Sequence, residues 1–382
     1  MAQPSMQELQ AQNIANRNLT LKTSISMMQR IYSETITNYV PGVGMNRNIP
    51  IKNVGLTKRL YVTVQANVQQ GAAETQTLTK FGPANIFSNV TFADYSNYQR
   101  INTTGWHLDA LATAKRRMPS FSAYATSNPV TTGNVFNVKS APASVTAAAD
   151  VFMVYEVPFA YTDQDLTGAI LSQVLNANAY MAFTINPNFF VASGADSVQA
   201  VYQSSTAQLG KVNSITITIY QEYLDQLPQV NGVLMLPHVD LSYVYGVYNT
   251  VISGLAANAD NPYNFTNYRS FLSAFAIYDN AGVLNAGSDV NSWKLQAANM
   301  TNIFDLPPWM VKVKERNIIG DDFPIGSYFH DFRDRPISTS INGNMQLLFN
   351  PSVVTSNASQ LLLGLEYTAL LNQVAQAGSI IQ

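Results

Sequence analysis

The 382-residue sequence contains no cysteine, which removes disulfide scaffolds, Cys-ligated zinc, iron–sulfur centres and thiol nucleophiles together. Charge is scarce too. Only 12% of residues are Asp, Glu, Lys or Arg, about half the ~25% of an ordinary globular chain. A net charge of −2 beside a 47% apolar fraction is the opposite of a disordered composition, which joins low hydrophobicity to high net charge. No uncharged apolar run approaches the ~20 residues that span a bilayer. The opening MAQPSMQELQAQNIANRN lacks the apolar stretch of a secretory signal. Zero cysteine fits folding in a reducing cytoplasm.

What fills the surface instead is neutral. Asn, Gln, Ser and Thr together number 120 of the 382 residues. The little charge present is unevenly placed. Residues 1–60 hold seven Lys and Arg against Glu8 and Glu34, a balance of +5, which leaves −7 on the remainder. A basic leading segment on an acidic body points that segment toward something anionic.

Residues 5–34 have no glycine or proline, and Ile14, Leu21, Ile25, Met28 and Tyr32 recur at steps of about three and four. That spacing predicts one amphipathic helix, ended by Pro41-Gly42-Val43-Gly44. From Leu60 to Val68 the period becomes two, the mark of a strand with one buried face. Further strands are expected at 151–159, 180–185, 214–220, 232–236, 271–278 and 345–349, each short and rich in Val, Ile, Thr, Phe or Tyr. No alternation of strands with long helices appears, so antiparallel sandwiches are expected rather than a parallel α/β sheet. Polar stretches at 93–105, 115–150, 246–266 and 280–312 are read as long loops on that scaffold. An eight-stranded sandwich needs roughly 100–200 residues, so the length predicts two in tandem, with a seam at Leu227-Pro228-Gln229-Val230-Asn231-Gly232.

Catalytic patterns are missing. His107, His238 and His330 show no metal-ligand spacing, and loop or core roles are expected for them. No Walker-type Gly-Lys-Ser/Thr and no Gly-x-Ser-x-Gly elbow occurs. Asp321-Asp322 is a weak candidate for paired-carboxylate chemistry, since neighbours on a strand point to opposite faces. Lys115-Arg116-Arg117 is the one tight basic cluster and is read as an exposed loop, because an acidic body lacks the broad basic face of a nucleic-acid binder. Trp106, Trp293 and Trp309, with 20 Tyr and 18 Phe, could make a sugar-stacking platform, but core or inter-subunit packing is the commoner use. No enzyme, cofactor or metal is expected. A large neutral β protein with long loops and a distinct leading arm reads as a building block.

Specific strings then become familiar. Phe81-Gly-Pro-Ala-Asn85, Tyr98-Gln-Arg100 and Thr104-Gly-Trp-His-Leu108 resemble the major capsid protein of tectiviruses. So do Asp165-Leu-Thr-Gly-Ala169, Tyr220 to Pro228, Leu236 to Ser242, Asp279-Asn-Ala-Gly, Asn285 to Asp289, Asp322 to Gly326 and Arg333 to Ile337. The resemblance runs in order over roughly residues 60–370. Tectiviruses are tailless icosahedral bacteriophages that enclose a membrane and double-stranded DNA.

The resemblance implies an all-β double jelly roll, two tandem eight-stranded sandwiches with an N-terminal helical arm. The expected division is 1–59 for the arm and lead-in, 60–230 and 231–372 for the two jelly rolls, and 373–382 for a C-terminal tail. It implies a homotrimer forming a pseudo-hexagonal capsomer that meets neighbouring capsomers and minor capsid or vertex proteins. It implies no sequence-specific contact with nucleic acid. The place is the virion capsid, assembled in the host bacterial cytoplasm. By the same resemblance the arm lies against the internal viral membrane, with Arg17, Lys22 and Arg30 at anionic headgroups. Ile14, Leu21, Ile25 and Met28 would pack beneath the capsomer or at the lipid boundary. The alternatives are a trimeric receptor-binding spike protein and a jelly-roll lectin.

Overall fold

Sixteen strands dominate the computed structural model, which describes residues 5–371 apart from 72–75, 96–97, 117–147, 175–178, 193–197, 206–209, 285–286, 298–301 and 321. The first eight are β1 (Ile25–Ile36), β2 (Met45–Pro50), β3 (Leu56–Gln69), β4 (Phe87–Ala93), β5 (Gln99–Thr103), β6 (Ala149–Pro158), β7 (Tyr180–Ile185) and β8 (Lys211–Asp225). They form two sheets in the orders β1-β8-β3-β6 and β2-β7-β4-β5. The second eight are β9 (Tyr243–Ile252), β10 (Asn261–Asn264), β11 (Ser270–Asp279), β12 (Val290–Ala297), β13 (Phe304–Leu306), β14 (Ser327–Asp331), β15 (Met345–Pro351) and β16 (Gln360–Leu370). Their orders are β9-β16-β11-β14 and β10-β15-β12-β13. Adding eight to each label of the first pair gives the second. This is the jelly-roll order, used twice.

Among these sixteen strands, pairing within each sandwich is antiparallel, and one short parallel contact joins the two. Val247 and Tyr248 of β9 lie opposite Ile101 and Asn102 of β5. The sheet β2-β7-β4-β5 therefore runs on into β9-β16-β11-β14 as one surface. The halves share an apolar junction as well as backbone. Phe275, Ile277 and Phe329 of the second sandwich belong to the same buried cluster as Val62, Val64 and Phe87 of the first. A separate cluster around Trp293, Phe349 and Leu363 fills the second sandwich.

The helices sit at the seams. α1 (Met6–Thr23) leads into β1, α2 (Gly105–Arg116) follows β5, α3 (His238–Leu241) precedes β9, and α4 (Pro308–Ile319) follows β13. α1 begins in a capping box: Ser5 Oγ accepts from Glu8 N–H, and Glu8 Oε2 accepts from Ser5 N–H. That exchange satisfies two otherwise orphaned donors. α4 starts with Pro at its first position and stops at Gly320, whose φ of 77° is the left-handed cap.

Expectation and structure differ at several places. The helix predicted over 5–34 ends at Thr23, and Ile25 to Ile36 is strand β1. Tertiary pairing decides this, since β1 runs beside β8 from Ile25↔Asp225 to Ile36↔Ile215 with one bulge. Ile25, Met28 and Tyr32 therefore leave the helical stripe, and Arg30 lies on the same strand. The stretches 93–105, 246–266 and 280–312 are not bare loops, for they hold β5, parts of β9 and β10, β12, β13 and the start of α4. Of 115–150, residues 117–147 lie outside the described residues. The strand expected at 232–236 shrinks to Val233–Leu234 in a ribbon with Gln229–Val230. Its turn is Asn231-Gly232, both at positive φ.

Candidate functional site

The arm is held by amides. Of α1, the buried side chains are Asn13, Asn16 and Thr20. Asn13 donates to Asp240 Oδ1 at 2.7 Å and accepts from Val239 N–H at 2.9 Å. Asn16 donates to the Leu236 carbonyl at 3.0 Å, and Thr20 Oγ1 reaches that of Met235 at 3.4 Å. Each such bond contributes about 1 kcal/mol net, so the docking is specific without being strong. Leu21 adds an apolar contact with the small cluster of Leu56, Leu166, Leu224 and Leu236. α1 thus closes the end of the molecule where the two sandwiches connect.

Besides Leu21, the residues expected at a membrane separate into three groups. Arg17 turns inward: its guanidinium lies 3.4 Å from Asp240 and 3.8 Å from Asp165. It ties the arm to the body while its side chain stays 25% exposed. Ile14 (49% exposed) and Lys22 remain on the outer side of α1. Ile25 (46%), Met28 (58%) and Arg30 are exposed on the first half of β1. All of residues 25–30 are exposed, unusual for a strand in a sandwich and in keeping with a surface that is covered elsewhere.

A second polar construction lies between the sandwiches. Glu366, on β16, is fully buried and accepts from Tyr245 Oη at 2.6 Å and Ser273 Oγ at 2.7 Å. Lys115, at the end of α2, approaches its Oε1 at 3.2 Å and donates to Tyr245 Oη at 2.8 Å. Burial alone would raise the Glu366 carboxyl, but Lys115 and the two hydroxyl donors outweigh it and hold the group below the usual carboxylate range. Lys115 is therefore a junction residue, and the reading of 115–117 as an exposed basic loop fails at its first member. Arg117 lies outside the described residues.

The histidines are structural. His107 Nδ1 bonds Thr103 Oγ1 at 2.7 Å, and His330 lies between the rings of Phe304 and Phe332. Loss of hydration pushes both down to about 3, so they are neutral at any ordinary pH. His238 opens α3. Among the described residues no three His, Asp or Glu converge as metal ligands. Asp322 pairs with Arg316, and Asp321 is outside the described residues. Trp106 and Trp293 are buried in the interior, so the three tryptophans do not form one stacking platform. Trp309 alone is exposed, at 66%.

Comparison with known proteins identifies the family. The family model described as P3 major capsid protein N-terminal matches residues 7–227, and its C-terminal companion matches 242–382. The chain belongs to the P3 major capsid protein family. Major capsid protein P3 of Enterobacteria phage PRD1 is 36% identical over 379 residues, covering 98% of this chain and 95% of that protein. The fold is shared more widely. The atomic structure of Sulfolobus Turreted Icosahedral Virus supplies a chain with a TM-score of 0.67 at 11% identity, over 94% of this chain and 96% of that one. Major capsid protein P2 of bacteriophage PM2 gives 0.50 at 12% identity, over 91% and 98%. The double jelly roll expected from the sequence is the fold observed, and the family is a structural one whose place is the virion capsid. The C-terminal tail 373–382 lies outside the described residues.

Proposed function

We propose that this P3-family protein forms homotrimeric, pseudo-hexagonal capsomers that tile an icosahedral shell around an internal membrane and its double-stranded DNA. One observation carries the reading. Two sandwiches of identical strand order stand side by side in one chain, so three chains supply six similar lobes. Composition supports it: hundreds of weakly charged tiles repel little, and amide- and hydroxyl-rich flanks give weak, partly water-bridged contacts that let a misplaced tile leave. Multivalency then makes the closed shell strong.

In this reading the division is an arm and lead-in over 1–59, jelly rolls over 60–230 and 231–372, and a tail over 373–382. The lead-in lends strands β1 and β2 to the first roll. Ile14 and Lys22 on α1, with Ile25, Met28 and Arg30 at the start of β1, face the membrane. Each exposed basic residue near anionic lipid contributes about 1 kcal/mol, small singly and useful in a lattice. Neighbouring capsomers, minor capsid and vertex proteins are the further partners, and assembly takes place in the host bacterial cytoplasm.

Light scattering behind size exclusion tests the first part. A species at three times the 41.9 kDa chain mass with a six-lobed outline in negative stain is expected, and a monomer would overturn it. Removing residues 1–23 tests the second. Trimers should persist while co-sedimentation with anionic vesicles weakens, and Met28→Ser with Arg30→Ser in the truncated chain should abolish it; unchanged vesicle binding would sink the membrane assignment.

A further inference from the structure

A cation taken out of water calls for a counter-charge, and the chain follows that rule with one exception. Among the described residues every other buried or half-buried Lys and Arg forms a salt bridge, from Arg17 with Asp240 to Arg333 with Asp331. Arg269, the residue before β11, is half-buried and has none. Its backbone carbonyl accepts from Thr339. Its guanidinium lies over the rings of Tyr367 at 4.2 Å and Tyr248 at 5.0 Å. Ring faces attract the cation but offer its N–H groups no oxygen.

The hydroxyls around it form two pairs. Tyr98 Oη lies 2.9 Å from Tyr367 Oη, and Tyr248 Oη lies 2.7 Å from Tyr263 Oη. In such a pair one O–H is donated to the other oxygen, and the second hydroxyl hydrogen is left over. Tyr367 is 2% exposed and gives its hydrogen to its one partner, while Tyr263 accepts from Thr266 and donates to Tyr248. The hydrogens left over are therefore those of Tyr98 and Tyr248. The rings of Tyr248 and Tyr367 pack edge-on with centroids 5.6 Å apart, which keeps the two pairs side by side. Burial pushes the Tyr263 and Tyr367 phenols well up, so both stay protonated. Glu366, next to Tyr367 in sequence, points to the other side of β16 and is taken up by Tyr245, Ser273 and Lys115. A permanent positive charge and two spare O–H donors thus stand together without an anion from the described residues.

The place is the end of the second sandwich nearest the arm. Thr368 lies opposite both Tyr245 of β9 and Ser270 of β11, and Tyr243 starts β9 just behind α3, where α1 docks. Tyr98 reaches the same end from the first sandwich. Arg100, two residues on, donates to the Gly168 carbonyl, and Gly168 N–H donates to the carbonyl of Asp240 on α3.

We infer that Arg269, with the hydroxyls of Tyr98 and Tyr248, is a binding site for a phosphate-class oxyanion. The edge of a guanidinium presents parallel N–H donors that match two oxygens of such a group. The two hydroxyls suit its remaining oxygens, which a carboxylate lacks. Inorganic phosphate and the phosphate of a lipid headgroup share this chemistry. The site stands without the membrane reading, and only the headgroup source rests on it.

Calorimetric titration of the full-length protein with inorganic phosphate, at an ionic strength held constant with chloride, tests the site. One phosphate per chain is expected. Arg269→Lys keeps the charge but loses the fork and should weaken binding about tenfold. Tyr98→Phe combined with Tyr248→Phe keeps both rings and should weaken it by a similar factor, with little change in the phosphate-free unfolding temperature. No binding to the parent, or parental affinity in either variant, overturns the inference; if Arg269→Lys does not fold, the Phe variant decides. Co-sedimentation of the same Phe variant with phosphatidylglycerol vesicles then separates the sources. Weakened vesicle binding assigns the lipid headgroup, and unchanged vesicle binding beside weakened phosphate binding assigns soluble phosphate. If the parent binds phosphate but no vesicles, it is the membrane reading that has failed.

Discussion

Lys115 Nζ stands 3.2 Å from Glu366 Oε1, and the two residues belong to different sandwiches. A lysine from the helix of the first roll is thus the counter-charge of a carboxylate sealed in the second. Removing one partner leaves the other charge buried and uncompensated, which costs about 3–5 kcal/mol. Lys115→Met should accordingly lower the thermal unfolding midpoint sharply. Lys115→Met with Glu366→Gln should recover most of that loss. A double variant no better than the single would show that packing, not charge, governs the junction.

The interface is also tight in shape. Gly364 lies against the His107 ring, and an added Cβ would fall within the ring's envelope. Gly364→Ala forces either β16 or α2 to shift, and overpacking of this kind costs typically 1–3 kcal/mol. Denaturant unfolding should show a loss of that size, partly reversed by pairing it with His107→Ala. No change in midpoint would mean the seam is looser than its geometry.

Acidification acts on the buried imidazoles. A histidine held at about 3 when folded and near 6.5 when unfolded contributes stability that is present above pH 6.5 and lost as pH falls toward 3. At pH 5 the loss is about 2 kcal/mol for His330, at 1.36 kcal/mol per unit. Glu315 on α4 works the other way: burial, against the pull of Lys312, raises it to about 7, so its contribution weakens as pH rises from 4.5 to 7. His330→Phe, which keeps an aromatic ring between Phe304 and Phe332, should therefore unfold later than the parent at pH 5 and show a smaller difference at pH 8. An equal difference at both values would remove titration from the explanation.

Docking of the arm should be separable from folding of the body. Asn13→Ala removes both the donor to Asp240 and the acceptor for Val239 N–H, leaving groups whose desolvation costs about 1–3 kcal/mol. Hydrogen exchange in residues 6–23 should rise at least tenfold while exchange in β3 and β8 stays slow. Uniform acceleration across the chain would show the arm to be integral to the first sandwich.

Strands with one wet face were legible in the sequence, because alternation at 60–68 and 180–185 reports burial directly. β16 was not: Leu361-Leu-Leu-Gly-Leu-Glu-Tyr-Thr-Ala-Leu370 is covered on both faces, so its pattern has no period to read. β1 was misread as helix for a related reason. Its partner β8 lies some 190 residues away, and no local rule reveals that pairing. The arm's binding face was hidden by expecting apolar contact, whereas Asn13, Asn16 and Thr20 do the docking and Ile14 faces out.

The long-range pairing of β1 also orders events during synthesis. Its partner strand, residues 211–225, leaves the ribosome long after residues 25–36. At about 5–20 residues per second that interval is roughly 10–40 s. Throughout it the leading strand lacks its pairing strand. The second roll meets a different situation, since β5 is already in place when β9 emerges and can receive it at once. Translation thus imposes a direction on the fold, in which a finished first lobe serves as the template on which the second is begun.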